Sequence, residues 1–157
     1  MVFIQETKCS MDKIREIQSK WLIKYVYLEV KADNSAGGIL TLWDPQKLGI
    51  MDVEASRNYL SLVIQPLGDR ETYMITNVYG PQKLEDKLKL LTSLEELREG
   101  YRDMPWILTG DFNMIQSNFI NIMRLVDAEK INCTFTWNNN RGGASQVASK
   151  LDRFIIS

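Results

Sequence analysis

Residues 58–110 carry the pattern that most narrows the fold. "NYLSLVIQ" (Asn58–Gln65) and "TYMITNVY" (Thr72–Tyr79) are two apolar runs rich in β-branched and aromatic residues. The turn cluster "PLGDR" sits between them, so the pair reads as a hairpin. The period then changes. Leucines at 84, 88, 91, 94 and 97 recur at helical spacing over Leu84–Arg98, in a run that opens after Pro81 and stops at Gly100. Trp106–Gly110, "WILTG", returns to a short buried strand. Strands that alternate with surface helices predict an α/β sandwich with the helices packed outside.

The flanks continue this alternation. Val2–Gln5 reads as a short apolar strand, and Met11–Leu22 as a helix with Ile14, Ile17 and Trp21 on one side and Ser10 as N-cap. Tyr25–Val30 and Gly38–Trp43 read as strands joined by a polar turn containing "DNSAGG", followed by the turn "DPQKLG". Phe119–Lys130 is predicted as a helix, and Thr134–Trp137 and Leu151–Ile156 as closing strands. At 157 residues, with 45% hydrophobic and 25% charged content, the chain is one ordinary globular domain, 1–157.

Composition removes several classes of function. The chain has no histidine, so no imidazole from it acts as acid, base or metal ligand. The net charge of −1 creates no global field for nucleic acid, so a polyanion needs a local basic patch. Arg141, Lys150 and Arg153 with Trp137 are one candidate patch, with a solvated face as the plain alternative. Cys9 and Cys133 have neither metal-ligand spacing nor a disulfide framework, which suits a reduced intracellular setting, nuclear or cytoplasmic. No run is long enough to cross a bilayer, the first residues do not form a signal peptide, and Asn132-Cys133-Thr134 carries no weight as a glycosylation site without one. No obligate protein partner is expected.

Several apolar strands finish on a chemically useful side chain. Glu6 follows "VFIQ", Asn77 and Tyr79 end "YMITNVY", Asp111 and Asn113 follow "WILTG", and Asp152 lies in "KLDRFII". Strand ends in a β-sandwich gather at one edge, where a rigid core holds residues from distant parts of the chain together. Carboxylates and amides collected there suit a phosphate ester: Mg²⁺ takes oxygen ligands, and one or two carboxylates with substrate phosphate and water suffice. Taken singly, each has a plainer reading. Glu6 is then a solvated acid, Tyr79 an edge tyrosine with a wet hydroxyl, Asp111 and Asn113 turn residues, Thr136 strand chemistry, and Asp152 a surface ion-pair partner.

"QET", "NVYGP", "ILTGDFN" and "FTWNNNR…ASKLDR", in that order, resemble the endonuclease/exonuclease/phosphatase superfamily, most closely the endonuclease domain of plant LINE-type (non-LTR) retrotransposons. The resemblance implies a four-layered α/β sandwich, two mainly antiparallel sheets flanked by helices, and Mg²⁺-dependent phosphodiester hydrolysis (with Mn²⁺ as substitute) that nicks DNA. It implies Glu6 as the metal ligand, Tyr79 as a contact to the scissile phosphate, Asp111 orienting the attacking water and Asn113 holding the phosphate. It places Thr136 and Ser149 near the substrate backbone, and makes Asp152 the partner of a catalytic histidine.

The sequence departs from the family pattern in three places. The family's first strand, with its active-site asparagine, has no counterpart before Val2. The closing Asp-His pair has none before Ser157. The stretch from "GDFN" to "FTW" is short. The expectation is a domain incomplete at both termini, impaired as an enzyme, with an exposed sheet edge near Val2–Gln5 or Phe154–Ile156. A phosphatase of the same fold and a noncatalytic remnant that binds nucleic acid weakly are the alternatives.

Overall fold

The computed structural model describes residues 1–8, 11–21, 23–31, 38–113, 125–127, 137–138, 148–149 and 152–156. Along the chain run β1 (Val2–Gln5), α1 (Met11–Trp21), β2 (Val26–Val30), β3 (Ile39–Trp43), β4 (Leu48–Ser56), β5 (Tyr59–Pro66), β6 (Tyr73–Tyr79), α2 (Leu84–Gly100), β7 (Trp106–Asp111), β8 (Val126–Asp127), β9 (Trp137–Asn138), β10 (Ala148–Ser149) and β11 (Asp152–Ile156). The hairpin predicted around "PLGDR" is β5–β6, paired from Tyr59↔Val78 to Ile64↔Tyr73.

Two sheets carry the architecture. The smaller has the order β1-β3-β2, and the larger β4-β5-β6-β7-β11-β8. All pairings are antiparallel except β6–β7, which is parallel and is joined through α2. A parallel neighbour needs a long crossover, and α2 supplies it. β9 and β10 pair as a separate ribbon.

Strand alternation sorts the side chains into layers. On one face of the larger sheet, Met74, Val78, Trp106, Leu108, Phe112 and Ile155 pack against Leu90, Leu94 and Leu97 of α2. On its other face, Leu60, Leu62 and Ile64 meet Ile39 and Trp43 of the smaller sheet. Leu40 and Leu42 point the opposite way and pack against Ile14 of α1. The order of layers is therefore helix, sheet, sheet, helix, which is the expected four-layered sandwich.

Buried polar groups tie these layers together. Asn77, fully buried, donates through Nδ2 to the Leu40 carbonyl and to Thr41 Oγ1, each at 3.1 Å, and accepts from Gln5 Nε2. It thus crosslinks β6 to β3 and β1. On the opposite face Trp106 Nε1 donates to Thr76 Oγ1 at 2.8 Å, and Thr76 and Ser61 share a hydroxyl–hydroxyl bond of 2.8 Å.

Three expectations change. β4 was not anticipated. It is an edge strand whose residues 51–55 are exposed, with a register shift between Ile50 and Asp52, so its "IMDVEAS" lacks a buried face to produce clean alternation. Val126–Asp127 pairs with Ile155 and Ile156 as β8, which interrupts the helix predicted for 119–130; backbone pairing at the sheet margin outweighs local helical spacing there. In α2 the buried stripe is Leu90, Leu94 and Leu97, while Leu84 and Leu88 are exposed. These two lie more than a quarter-turn from the middle of the stripe, on the solvent side.

Among the described residues β1 pairs only with β3, so one side of Val2–Gln5 is an open sheet edge, as anticipated. Ile155 and Ile156, in contrast, pair on both sides, with β7 and β8.

Candidate active site

Parity along the strands decides which side chains meet. Tyr73, Ile75, Asn77 and Tyr79 of β6 face the space between the sheets, while Met74, Thr76 and Val78 face α2. In β7 Trp106, Leu108 and Phe112 face α2, which leaves Thr109 and Asp111 on the inter-sheet side. Tyr79 and Asp111 are register partners at the end of the parallel pair. β1 runs along the same space, and its end delivers Glu6 to the same place.

Hydrogen bonds join the cluster. Tyr79 Oη donates to Glu6 Oε1 at 2.7 Å, across 73 positions of sequence. Asn113 Nδ2 donates to the Gly80 carbonyl at 2.6 Å, and the Asn113 amide donates to Asp111 Oδ1 at 2.9 Å. The Gly80 amide donates to the Asp111 carbonyl at 2.7 Å. Glu6, Tyr79, Asp111 and Asn113 thus gather at one end of the sandwich. Asp152, first residue of β11, is the backbone register partner of Asp111. Ser149 lies in β10 opposite Trp137. Thr136, Arg141 and Lys150 lie outside the described residues.

The backbone at the site is unusual. Glu6 (φ 53°), Lys8 (φ 46°) and Asn113 (φ 44°) are the non-glycine residues with positive φ among those described. Asparagine tolerates the left-handed region, but for glutamate it stores strain that the surroundings must hold. The two strands also touch closely. A Cβ on Gly110 (φ 132°) would lie 2.0 Å from the Val78 carbonyl oxygen, and one on Gly80 would lie 2.4 Å from that of Phe112. Glycine at both positions lets the chain carry Tyr79 and Asp111 side by side.

The charge states follow from these contacts. The Tyr79 hydroxyl lowers the Glu6 pKa; partial burial opposes this, and Lys8, 3.3 Å from Glu6 Oε1, assists. Glu6 is therefore an anion at neutral pH. Tyr79 is pushed up, first by burial, then by its bond to Glu6 and the charges of Glu6 and Asp111. It is a neutral hydrogen-bond donor over the whole physiological range.

Some positioning residues were not singled out from the sequence. Asn58 holds Tyr79 from both sides: its Nδ2 donates to the Tyr79 carbonyl at 2.8 Å, and its carbonyl accepts from the Tyr79 amide at 2.9 Å. Gln5 reaches Asn77 directly behind the cluster. Nothing in a lone Asn at the start of a strand, or a Gln at the end of one, separates these from surface residues.

Similarity in three dimensions is extensive. The structure superposes on an endonuclease/exonuclease/phosphatase family protein from Bacteroides thetaiotaomicron with a TM-score of 0.70 at 16% identity, covering 95% of this chain and 66% of that one. The chain has the endonuclease/exonuclease/phosphatase fold. D. rerio TDP2, solved with single-strand DNA product, matches at TM-score 0.68 and 16% identity over 99% of this chain and 69% of that one. The endonuclease domain of TRAS1, a telomere-specific non-LTR retrotransposon, matches at TM-score 0.65 and 11% identity over 85% and 67%. The chain thus spans about two thirds of the length of these endonuclease/exonuclease/phosphatase-fold chains. No protein-family model and no curated protein sequence matches it.

Proposed function

We propose that the chain is a divalent-cation-dependent phosphodiester hydrolase that nicks DNA, of the LINE endonuclease type. The observation that supports this reading most is the meeting of Glu6, Tyr79, Asp111 and Asn113 at the ends of β1, β6 and β7. The donor set suits Mg²⁺ or Mn²⁺. Among the described residues no group of three carboxylate, thiol or imidazole side chains forms a cage. A hard cation held by one or two carboxylates, water and substrate phosphate needs none. Glu6 would hold it, with Asp111 close by.

Each side chain then has a task. Asp111 orients the attacking water. Asn113 spends one amide proton on Gly80 and keeps the other for a phosphate oxygen. Tyr79, fixed by Asn58, is neutral; its one hydroxyl proton is held by Glu6 and would turn to the scissile phosphate once Glu6 holds the cation. Asp152, the backbone register partner of Asp111, would pair with a catalytic histidine. A bound cation offsets charge developing on the phosphoryl oxygens.

The chain contains no histidine, and general acid–base assistance typically contributes about 10²–10⁴-fold. The 157-residue chain alone is therefore expected to nick supercoiled plasmid little or not at all with Mg²⁺. A chimera extended at its N- and C-terminal ends with the corresponding strands of an intact relative should nick, and Asp111→Ala in that chimera should abolish nicking. A folded chimera without activity, or with activity untouched by Asp111→Ala, refutes the hydrolase reading. The lack of imidazole favours a second reading, a nucleic-acid binder without turnover. Binding without nicking by the chimera would establish it.

A further inference from the structure

The turn after β1 does more than deliver Glu6. Glu6 (φ 53°) and Lys8 (φ 46°) are both left-handed, a conformation that neither residue type favours. They flank Thr7, whose amide ties the turn to the Gly38 carbonyl at 3.4 Å. The turn holds Lys8 Nζ 3.3 Å from Glu6 Oε1. An exposed ion pair is too weak to impose two such residues by itself, so the pair is a product of the turn and not its cause.

The Glu6 carboxylate is used unevenly. Tyr79 Oη and Lys8 Nζ both approach Oε1, at 2.7 Å and 3.3 Å, and Oε2 accepts no hydrogen bond from a described residue. The Lys8 contact is the longer one. It joins side chains that are 54% and 48% exposed, so water competes for both partners and the contact exchanges readily. One carboxylate oxygen is thus open to an incoming cation while the other carries a cation already. An ion arriving at Oε2 would stand a few ångströms from the Lys8 ammonium. Repulsion scales with the product of the charges, so a divalent ion pushes on Lys8 twice as hard as Na⁺ or K⁺ and is attracted twice as strongly by Glu6.

We infer that Lys8 is a tethered counter-cation for Glu6, displaced by a divalent ion and not by a monovalent one, and that it thereby sets the threshold and the selectivity of the cation site. The inference deepens the hydrolase reading and rests on it for Glu6 as the cation ligand. Lys8 acts through Glu6 and is a positioning residue. A plain surface pair would stay in place when the ion binds.

The test follows the 157-residue chain by NMR, with the Lys8 ε-methylene as probe and Mg²⁺ as the ion. Mg²⁺ should move the Lys8 signal with the same midpoint as the Glu6 carboxylate, and K⁺ at equal ionic strength should move neither. Glu6→Gln should put the Lys8 signal at its Mg²⁺-bound position before any Mg²⁺ is added. Mn²⁺ affinity, read from the electron paramagnetic resonance of the free ion, should rise about threefold in Lys8→Gln, within the up to about fivefold that an exposed pair is worth. Lys8→Arg should return it to the parent value. Lys13→Gln, which breaks a pair with Glu16 on α1, should leave it unchanged. A Lys8 signal indifferent to Mg²⁺, or moved equally by K⁺, overturns the proposal. So does Mn²⁺ affinity that is unchanged or weakened in Lys8→Gln. None of these readouts needs turnover, so the two readings fail separately. Nicking by the chimera with Mn²⁺ affinity indifferent to Lys8 sinks the counter-cation alone. Tighter Mn²⁺ binding by Lys8→Gln with an inactive chimera sinks the hydrolase alone.

Discussion

Gly110→Ala is expected to be among the most damaging single-methyl additions in the protein. Gly110 and Val78 are register partners in the parallel β6–β7 pair, one step before Asp111 and Tyr79. The added Cβ would lie 2.0 Å from the Val78 oxygen, 2.9 Å from its nitrogen and 3.0 Å from its carbonyl carbon. All three are backbone atoms in a sheet interior, so no side chain can swing aside. Holding a non-glycine residue at φ 132° costs of order 1–3 kcal/mol, and overpacking costs of order 1–3 kcal/mol more. The sum is about 4 kcal/mol, a large part of the roughly 5–15 kcal/mol that stabilises a domain. With a urea m-value of about 2 kcal/mol/M, the midpoint should fall by about 2 M. Gly68→Ala is the control for conformation alone, with φ 91° and nothing within 4 Å. It should cost about 1 kcal/mol. Gly49→Ala meets only Gln65 O at 3.7 Å and should be near neutral. Urea unfolding followed by circular dichroism ranks the three. A Gly110→Ala midpoint within about 0.3 M of the parent would refute the close backbone approach.

Other outcomes follow from the same contacts. Tyr79→Phe removes the hydroxyl that most lowers the Glu6 pKa, so the Glu6 carboxylate titration followed by NMR should move up. Because the Tyr79 pKa is raised in the fold, its stabilisation is fully present below the ordinary tyrosine value of 10.0 and is lost as pH rises through the folded value. Tyr59, Tyr73 and Tyr101 also have raised pKa values, so difference absorbance above pH 10 should show one fewer protonated tyrosine in Tyr79→Phe than in the parent. Asn77→Ala removes the bonds to the Leu40 carbonyl and Thr41 and strands buried acceptors, costing about 2–4 kcal/mol by urea unfolding. Thr76→Val breaks the Trp106–Thr76–Ser61 chain and should cost about 1–3 kcal/mol in the same assay.

The elements that could be read from sequence are those with a buried face. β5, β6 and β7 lie in the sheet interior and α2 covers them, so their apolar residues recur at the period of the element. β4 is solvent-exposed along residues 51–55, and its polar "DVEA" hides the strand. Leu84 and Leu88 extended the apparent stripe of α2 because leucine is also a good helix former on an exposed surface. The candidate site was legible because strands ending in "QET", "NVYG" and "TGDFN" carry their polar residues at equivalent ends. The positioning of Tyr79 by Asn58 and the Gln5–Asn77 tie were not. They depend on which distant segments become neighbours, and that is fixed by sheet order and the α2 crossover.

On the proposed reading, the ends of β1, β6 and β7 make one oxygen-lined site for a hard cation and a phosphate. Mn²⁺ titration of the ¹⁵N-labelled 157-residue chain tests it without requiring catalysis. Paramagnetic broadening should strike the amides of Glu6, Tyr79, Asp111 and Asn113 first and together, and Glu6→Gln should remove it. Broadening that begins instead at the exposed acids of β4, Asp52 and Glu54, or of α2, Glu95 and Glu99, and leaves Glu6 and Asp111 sharp, would contradict a cation site at these strand ends.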